Sequence, residues 1–194
     1  MEQNKDYIRL AADLQTDSIV DGPGLRTVLW TQGCGHHCPG CQNPQTWDFE
    51  GKHLPNGGMV PLEMVYEAID ELEYQDGLTI SGGDPMFQPE SCMKVAKYAK
   101  SKGLNIWVYT GFTFEELLEL NKKNSVYLEF LKTIDVLVDG RFILKERDLN
   151  LLFRGSRNQR LIDVPKTLSS GKICLFDEHI YSEEDNFKRV PMYV

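Results

Sequence analysis

The chain is 194 residues long, with 41% hydrophobic and 26% charged side chains and a formal net charge of −8. That length is most simply one domain with a core of its own, so a disulfide framework is not needed to hold it. The acidic balance argues against a nucleic-acid surface. No apolar run reaches a membrane span, and Met1-Glu2-Gln3-Asn4-Lys5-Asp6 lacks a signal-peptide core, so the expected setting is a reducing cytoplasm with no membrane attachment.

Thr27-Val28-Leu29-Trp30-Thr31 reads as a buried strand, and a cysteine-bearing loop follows it directly. Pro61 opens a helix whose apolar positions Leu62, Val65, Tyr66, Ile69 and Leu72 share one face. Leu78-Thr79-Ile80 is a short strand ending at Ser81-Gly82-Gly83-Asp84-Pro85. Residues 90–102 form a second helix, stopped by Gly103. Ile106-Trp107-Val108-Tyr109 is a third strand ending at Thr110-Gly111-Phe112, and residues 113–118 start a third helix. Asp135-Val136-Leu137-Val138 is a fourth strand ending at Asp139-Gly140-Arg141-Phe142, with Leu161-Ile162-Asp163-Val164 as a candidate fifth. The alternation predicts an α/β fold with a mostly parallel sheet and helical crossovers.

Cys34, Cys38 and Cys41 form a Cys-x3-Cys-x2-Cys array in the run Gly33-Cys34-Gly35-His36-His37-Cys38-Pro39-Gly40-Cys41-Gln42. Structural zinc takes four closed ligands, and electron-transfer clusters take four thiolates. Three thiolates on one loop can hold three irons of a cubane and leave the fourth iron open to a ligand. A zinc site completed by His36, His37 or His53 is the competing reading, weakened because no second Cys or His pair follows at the usual distance. Cys92 and Cys174 stand apart and read as inert thiols.

Four of these segments share a placement. The cysteine loop, residues 82–84, Thr110-Gly111 and Asp139-Gly140-Arg141 each follow the carboxyl end of a predicted strand. In parallel α/β architecture those ends lie on one rim, where ligands bind. Singly, Gly-Gly or Asp-Gly after a strand is an ordinary turn; on one rim beside a metal loop, the four converge on one pocket.

With these residues in view the chain resembles the anaerobic ribonucleotide reductase activating proteins, small radical S-adenosylmethionine (SAM) enzymes. The matching pieces are Asp21-Gly22-Pro23-Gly24, the cysteine loop with Cys38-Pro39-Gly40-Cys41, Ser81-Gly82-Gly83-Asp84-Pro85 and Trp107-Val108-Tyr109-Thr110-Gly111-Phe112. Val136-Leu137-Val138-Asp139-Gly140-Arg141-Phe142 and Phe153-Arg154-Gly155-Ser156-Arg157-Asn158-Gln159 complete them, in order over residues 18–165. Residues 166–194 lie outside the motifs, within what is expected to be a single domain over 1–194.

The resemblance implies one 4Fe-4S cluster on Cys34, Cys38 and Cys41, with SAM chelated at the open iron. Residues Gly40, Cys41 and Gln42 would lie against the cofactor; Gly40 stands where many such enzymes carry an aromatic near the adenine, so other groups must hold that ring. The loop Ser81-Gly82-Gly83-Asp84 would meet the SAM amino group, glycines permitting backbone approach and Asp84 adding an acceptor. Arg141 would pair with the methionine carboxylate, and Thr110 and Asp139 would contact the ribose or methionine part; a solvated Arg141 or a turn-forming Asp139 is the alternative. Residues 153–159 would contact the partner or SAM, or form a solvated loop.

The implied reaction is one-electron cleavage of SAM to methionine and a 5′-deoxyadenosyl radical, which takes hydrogen from a glycine Cα of the anaerobic ribonucleoside-triphosphate reductase. An electron donor such as flavodoxin is implied as a second partner. A full eight-unit barrel takes about 250 residues, so four or five βα units imply a partial, laterally open (β/α) barrel that admits a loop of a large protein. Competing functions are an activase of a formate-lyase-type enzyme, a small-molecule radical SAM enzyme, and a zinc-binding interaction module.

Overall fold

Residues 7–50 and 58–178 are described by the structure, a computed structural model. His53 lies outside them, as does the chain beyond residue 178. In chain order the elements are β1 (Tyr7–Leu10), β2 (Gln15–Ser18), β3 (Arg26–Thr31), β4 (Gly58–Pro61), α1 (Leu62–Asp70), β5 (Gly77–Gly82), α2 (Pro89–Ser101), β6 (Asn105–Tyr109), α3 (Phe114–Asn121), α4 (Val126–Leu131), β7 (Val136–Asp139), β8 (Arg160–Asp163) and α5 (Val164–Ser170).

The sheet runs β4-β1-β3-β5-β6-β7-β8, with β2 also paired to β3. Its centre, β3-β5-β6-β7, is parallel, and spatial order equals chain order. Helices cover each connection, as parallel crossovers require. The flanks are antiparallel: β1 and β2 against β3, β4 against β1, and β8 against β7. The expected fifth strand is thus present but reversed. Residues 140–159 hold a 3-10 turn at Leu144–Glu146 and no α-helix, so the chain never crosses back to the amino end of the sheet before β8 begins.

Alternation along the strands divides the molecule. Leu29, Leu78, Ile80, Ile106, Val108 and Leu137 belong to the core formed with Leu62, Val65 and Ile69 of α1, Val95, Ala96 and Ala99 of α2, Leu117 of α3, and Phe130 and Leu131 of α4. Each such fully buried Val, Leu or Ile contributes about 1.5–3 kcal/mol. The intervening residues face the other way, where Trp107, Val136, Val138 and Leu161 pack with Tyr109, Phe153 and Phe176. That face also holds Arg26, 1% exposed. Its guanidinium donates to Thr79 Oγ1 at 2.6 Å, the Leu78 carbonyl at 3.0 Å and the Asn105 carbonyl at 3.1 Å, and lies over the Trp107 ring. Burial pushes its pKa down to about 10, so it stays charged at neutral pH.

Helix boundaries follow local chemistry. Thr113 and Glu116 form a reciprocal capping box at the start of α3. Pro89 occupies the first turn of α2, and Asp163 caps α5 by accepting from Lys166 N. Among the described residues, no helix is long and apolar enough to cross a membrane.

Candidate active site

The parallel register aligns the carboxyl ends of the central strands, pairing Thr31 with Gly82 and Tyr109 with Val138. The segments beyond those ends are stitched to one another. Gly83 N donates to the Thr31 carbonyl at 2.7 Å, and Asp84 N to the Gly33 carbonyl at 3.0 Å. Gly82 has φ +103°, and a Cβ there would come within 2.5 Å of the Thr31 carbonyl oxygen; one on Gly83 would come as close to that of Gly33. These glycines are therefore required where two backbones touch, at the root of the cysteine loop. The expected reason, approach of a ligand, is not the one the packing imposes.

Beyond Gly33 the loop is closed by Gly33 N to the Thr46 carbonyl at 2.9 Å and Cys34 N to the Trp47 carbonyl at 3.2 Å. His37 and Gly40 take positive φ, 49° and 77°, which turns the chain between the cysteines. Cys34, Cys38 and Cys41 all line one cavity of about 350 Å³. Asn43 N donates to the Cys41 sulfur at 3.3 Å, and the backbone amides of His36 and Phe142 act on the Cys34 and Cys38 thiols in the direction that lowers their pKa. Amide donors of this kind stabilise thiolates and tune metal–sulfur centres. Burial acts oppositely on the free thiols, pushing Cys34 up to about 11 and Cys38 in the same direction. Cys34 and Cys38 are therefore neutral thiols at neutral pH, and a metal bound there would displace their protons. Among the described residues, no three His, Cys, Asp or Glu side chains gather on a point suited to a single metal ion. The donor set fits a cluster: three thiols of one loop line one cavity, and a backbone amide is bonded to the Cys41 sulfur. Cys92 is fully buried in α2, and Cys174 lies near α5, bonded to Ser170 and Thr167.

Ser81, Gly82, Gly83, Asp84, Thr110 and Gln42 also line the cavity. The Asp84 carboxylate, 1% exposed, is engaged internally. Oδ1 accepts from Met86 N at 2.9 Å, Oδ2 from Gly111 N at 2.9 Å, and both from Thr110 Oγ1 at 3.0 Å. His36 Nε2 completes the set at 2.8 Å from Oδ2. The expected free acceptor at Asp84 is absent, because a carboxylate has about four lone-pair sites and these contacts occupy them.

Three expected site residues lie outside the cavity lining. Asp139 is 1% exposed; it accepts from Phe114 N at 2.8 Å and from Arg160 Nε at 2.9 Å, tying β7, α3 and β8 together. Arg160 also bonds Glu115 at 2.7 and 3.1 Å, and the two carboxylates, Asp139 foremost, raise its pKa. Arg141 is exposed, its carbonyl held by Asn158 Nδ2 at 2.8 Å. Gly40 packs instead against the Leu144 side chain and the Phe142 ring.

In their place the rim presents Asp21, Tyr109, Phe142, Leu151, Phe153, Arg154 and Gln159. Arg154 is the sole lysine or arginine lining the cavity among the described residues. Both its terminal nitrogens bond Glu178, Nη2 at 2.9 Å, while its Nε is buried with no partner among the described residues. The run 153–159 is a folded lobe: Gln159 accepts from Gly155 N and Ser156 N and donates to the Gly140 carbonyl, and Tyr109 Oη donates to the Phe153 carbonyl at 2.9 Å. Its motif was visible in the sequence; its fold over the cavity depends on contacts spanning up to 44 residues.

A family described as a 4Fe-4S single cluster domain matches residues 20–162, which defines the class. The anaerobic ribonucleoside-triphosphate reductase-activating protein of Salmonella typhi is 37% identical over 149 residues, covering 73% of this chain and 90% of its own. Those of Escherichia coli K12 and of Enterobacteria phage T4 are 35% and 36% identical, covering 73% and 74% of this chain and 90% and 86% of theirs. The chain belongs to the family of anaerobic ribonucleoside-triphosphate reductase-activating proteins. The crystal structure of QueE from Escherichia coli superposes with a TM-score of 0.43 at 16% identity, over 55% of this chain and 53% of that one.

Proposed function

We propose that this protein is a radical SAM activase, one domain in a reducing cytoplasm, that installs a glycyl radical on an anaerobic ribonucleoside-triphosphate reductase. The observation that carries the reading is the single cavity lined both by the three cysteines of one loop and by residues 81–84, the two segments joined by backbone hydrogen bonds. The relatives' shared name supplies the protein substrate.

Cys34, Cys38 and Cys41 would hold the 4Fe-4S cluster, leaving one iron for the amino and carboxylate groups of SAM. A bound, reduced cluster would supply the one electron needed to cleave SAM to methionine and a 5′-deoxyadenosyl radical, the species that would take hydrogen from a glycine Cα. The chain's own residues orient and shield. Backbone groups of Ser81, Gly82 and Gly83, held in place by Asp84 and Thr110, would meet the amino group. Arg154, whose terminal nitrogens are held by Glu178 and whose Nε has no partner among the described residues, would turn that N–H toward the carboxylate, a role its position in the wall favours over Arg141. Phe142, packed on Gly40, supplies the aromatic wall that Gly40 does not, and Trp47, Leu151 and Phe153 exclude water.

A cavity of about 350 Å³ suits a nucleoside-sized cofactor and leaves no room to enclose a polypeptide as well. A partial, laterally open barrel meets that need. Its support is the sheet path from β4 to β8, whose ends do not pair with each other among the described residues. A one-electron donor of the flavodoxin kind completes the system. The test is anaerobic incubation of reduced protein with SAM: equal amounts of methionine and 5′-deoxyadenosine are expected, and none from Cys38→Ser. Equal product from that variant would remove the cluster loop from the reaction.

A further inference from the structure

His36 sits between two of the cysteines, and the chemistry above gives it no task. Its side chain is 5% exposed, with Nε2 2.8 Å from Asp84 Oδ2. A carboxylate only accepts, so Nε2 carries the proton in this contact. The ring is held in a slot: edge-on to Phe112 at 4.6 Å between centroids and tilted to Phe87 at 5.6 Å. The fourth wall is Gly111, where any Cβ would collide with the imidazole. The cysteine loop therefore sends one side chain across the cavity floor to the hub that also grips Gly111, Thr110 and the turn at Met86.

We propose that His36 is a positioning residue: by holding Asp84 it locks residues 81–84 and 110–111 in register with the cluster loop, and the Asp84 carboxylate itself does not touch SAM. The inference rests on the reading of the cavity as a SAM site. Two observations support it independently. The acceptor capacity of Asp84 is filled by protein donors, so the ligand must be met by backbone groups of the loop that Asp84 holds. The slot is also shaped for a ring, which explains a glycine at position 111, where the backbone has no positive φ to demand one. Partners that orient metal-site residues at one remove are typically worth about 10–100-fold in affinity or activity.

The experiment uses anaerobically purified, cluster-loaded protein and reads three quantities: iron and sulfide content, SAM affinity by equilibrium dialysis, and the change that SAM causes in the electron paramagnetic resonance spectrum of the reduced cluster. His36→Phe fills the slot without a donor; it should keep iron and sulfide, bind SAM about 10–100-fold more weakly, and lose the spectral change. His36→Gln, which places an amide N–H near the Nε2 position, should restore both. Gly111→Ala, which crowds the ring from the opposite wall, should resemble His36→Phe. Unaltered SAM binding in His36→Phe would overturn the inference. So would loss of the cluster in that variant, which would make His36 a loop-folding residue. A fully loaded His36→Gln protein as defective as His36→Phe would mean that the imidazole itself contacts SAM. Failure of the unmodified, loaded protein to respond to SAM would instead bring down the underlying reading, and the inference with it.

Discussion

The amide of Gly83 rests 2.7 Å from the carbonyl of Thr31, which welds the loop after β5 to the end of β3 just ahead of the cysteines. Two segments that are 52 residues apart in sequence therefore behave as one piece of backbone. The sequence pattern alone suggests that valine at Gly82 or Gly83 would block SAM and spare the cluster. The packing predicts otherwise, because the added atoms would strike backbone at the root of the cluster loop. Gly83→Val is expected to lose iron and sulfide as well as SAM binding, and to lose about 1–3 kcal/mol of stability. Metal analysis with a urea titration checks this; a fully loaded variant of unchanged stability would refute it.

The cysteines divide into two groups. Serine at Cys34, Cys38 or Cys41 should abolish the cluster, and serine at Cys174 should leave it intact. Serine at Cys92 should also leave it intact but cost about 1–3 kcal/mol, because a hydroxyl replaces a fully buried thiol inside α2. Iron and sulfide analysis of the five single variants, with melting temperatures, separates the groups.

Burial of Cys34 makes the metal-free fold pH-dependent. Its pKa is raised by burial from about 9 to about 11. The fold thus favours the neutral thiol, a contribution fully present below pH 9 and lost as pH rises from 9 through 11. The loss is on the order of 2 kcal/mol. Denaturation midpoints of the metal-free protein should fall over that window, and Cys34→Ser should flatten part of the decline. An identical slope in the variant would assign the decline to other groups.

Arg154 and Arg157 belong to one motif but have different surroundings. Arg154 lines the cavity and is held by Glu178; Arg157 is 71% exposed and bonds Asp148 at 2.9 Å. Arg154→Ala should lower SAM cleavage and reductase activation together. Arg157→Ala should leave SAM cleavage and stability within error, since exposed pairs contribute about 0–1 kcal/mol. A fall in activation alone for Arg157→Ala would mark it as a partner contact.

Asp139 is predicted to act through the fold. Arg160→Ala would strand its buried carboxylate, at about 3–5 kcal/mol. The same variant should keep its SAM affinity wherever it remains folded. Chemical denaturation and equilibrium dialysis read the two effects separately.

The central strands, α1 to α3 and the shared rim were legible because strand burial and helical spacing are local patterns. Tyr7–Leu10, Gln15–Ser18 and Gly58–Pro61 are not legible, since strands of four residues carry too little pattern to separate from loops. The direction of β8 depends on whether residues 140–159 cross the sheet, which hydrophobic pattern does not encode. Likewise, nothing near Asp139 in sequence shows that Arg160, 21 residues on, turns its carboxylate away from the cavity. Arg154 and Arg141 look equally suited to an anion, and only the folding of the 153–159 lobe over the rim separates them.

The central claim is the radical placed on a protein partner. The most direct measurement is electron paramagnetic resonance of the cognate anaerobic ribonucleoside-triphosphate reductase after anaerobic incubation with this protein, SAM and a reductant. A glycyl-radical doublet is expected on the reductase, absent when SAM is omitted or when the Cys38→Ser variant replaces the activator. A protein with an intact, reducible cluster and bound SAM that leaves the reductase without that doublet would contradict it.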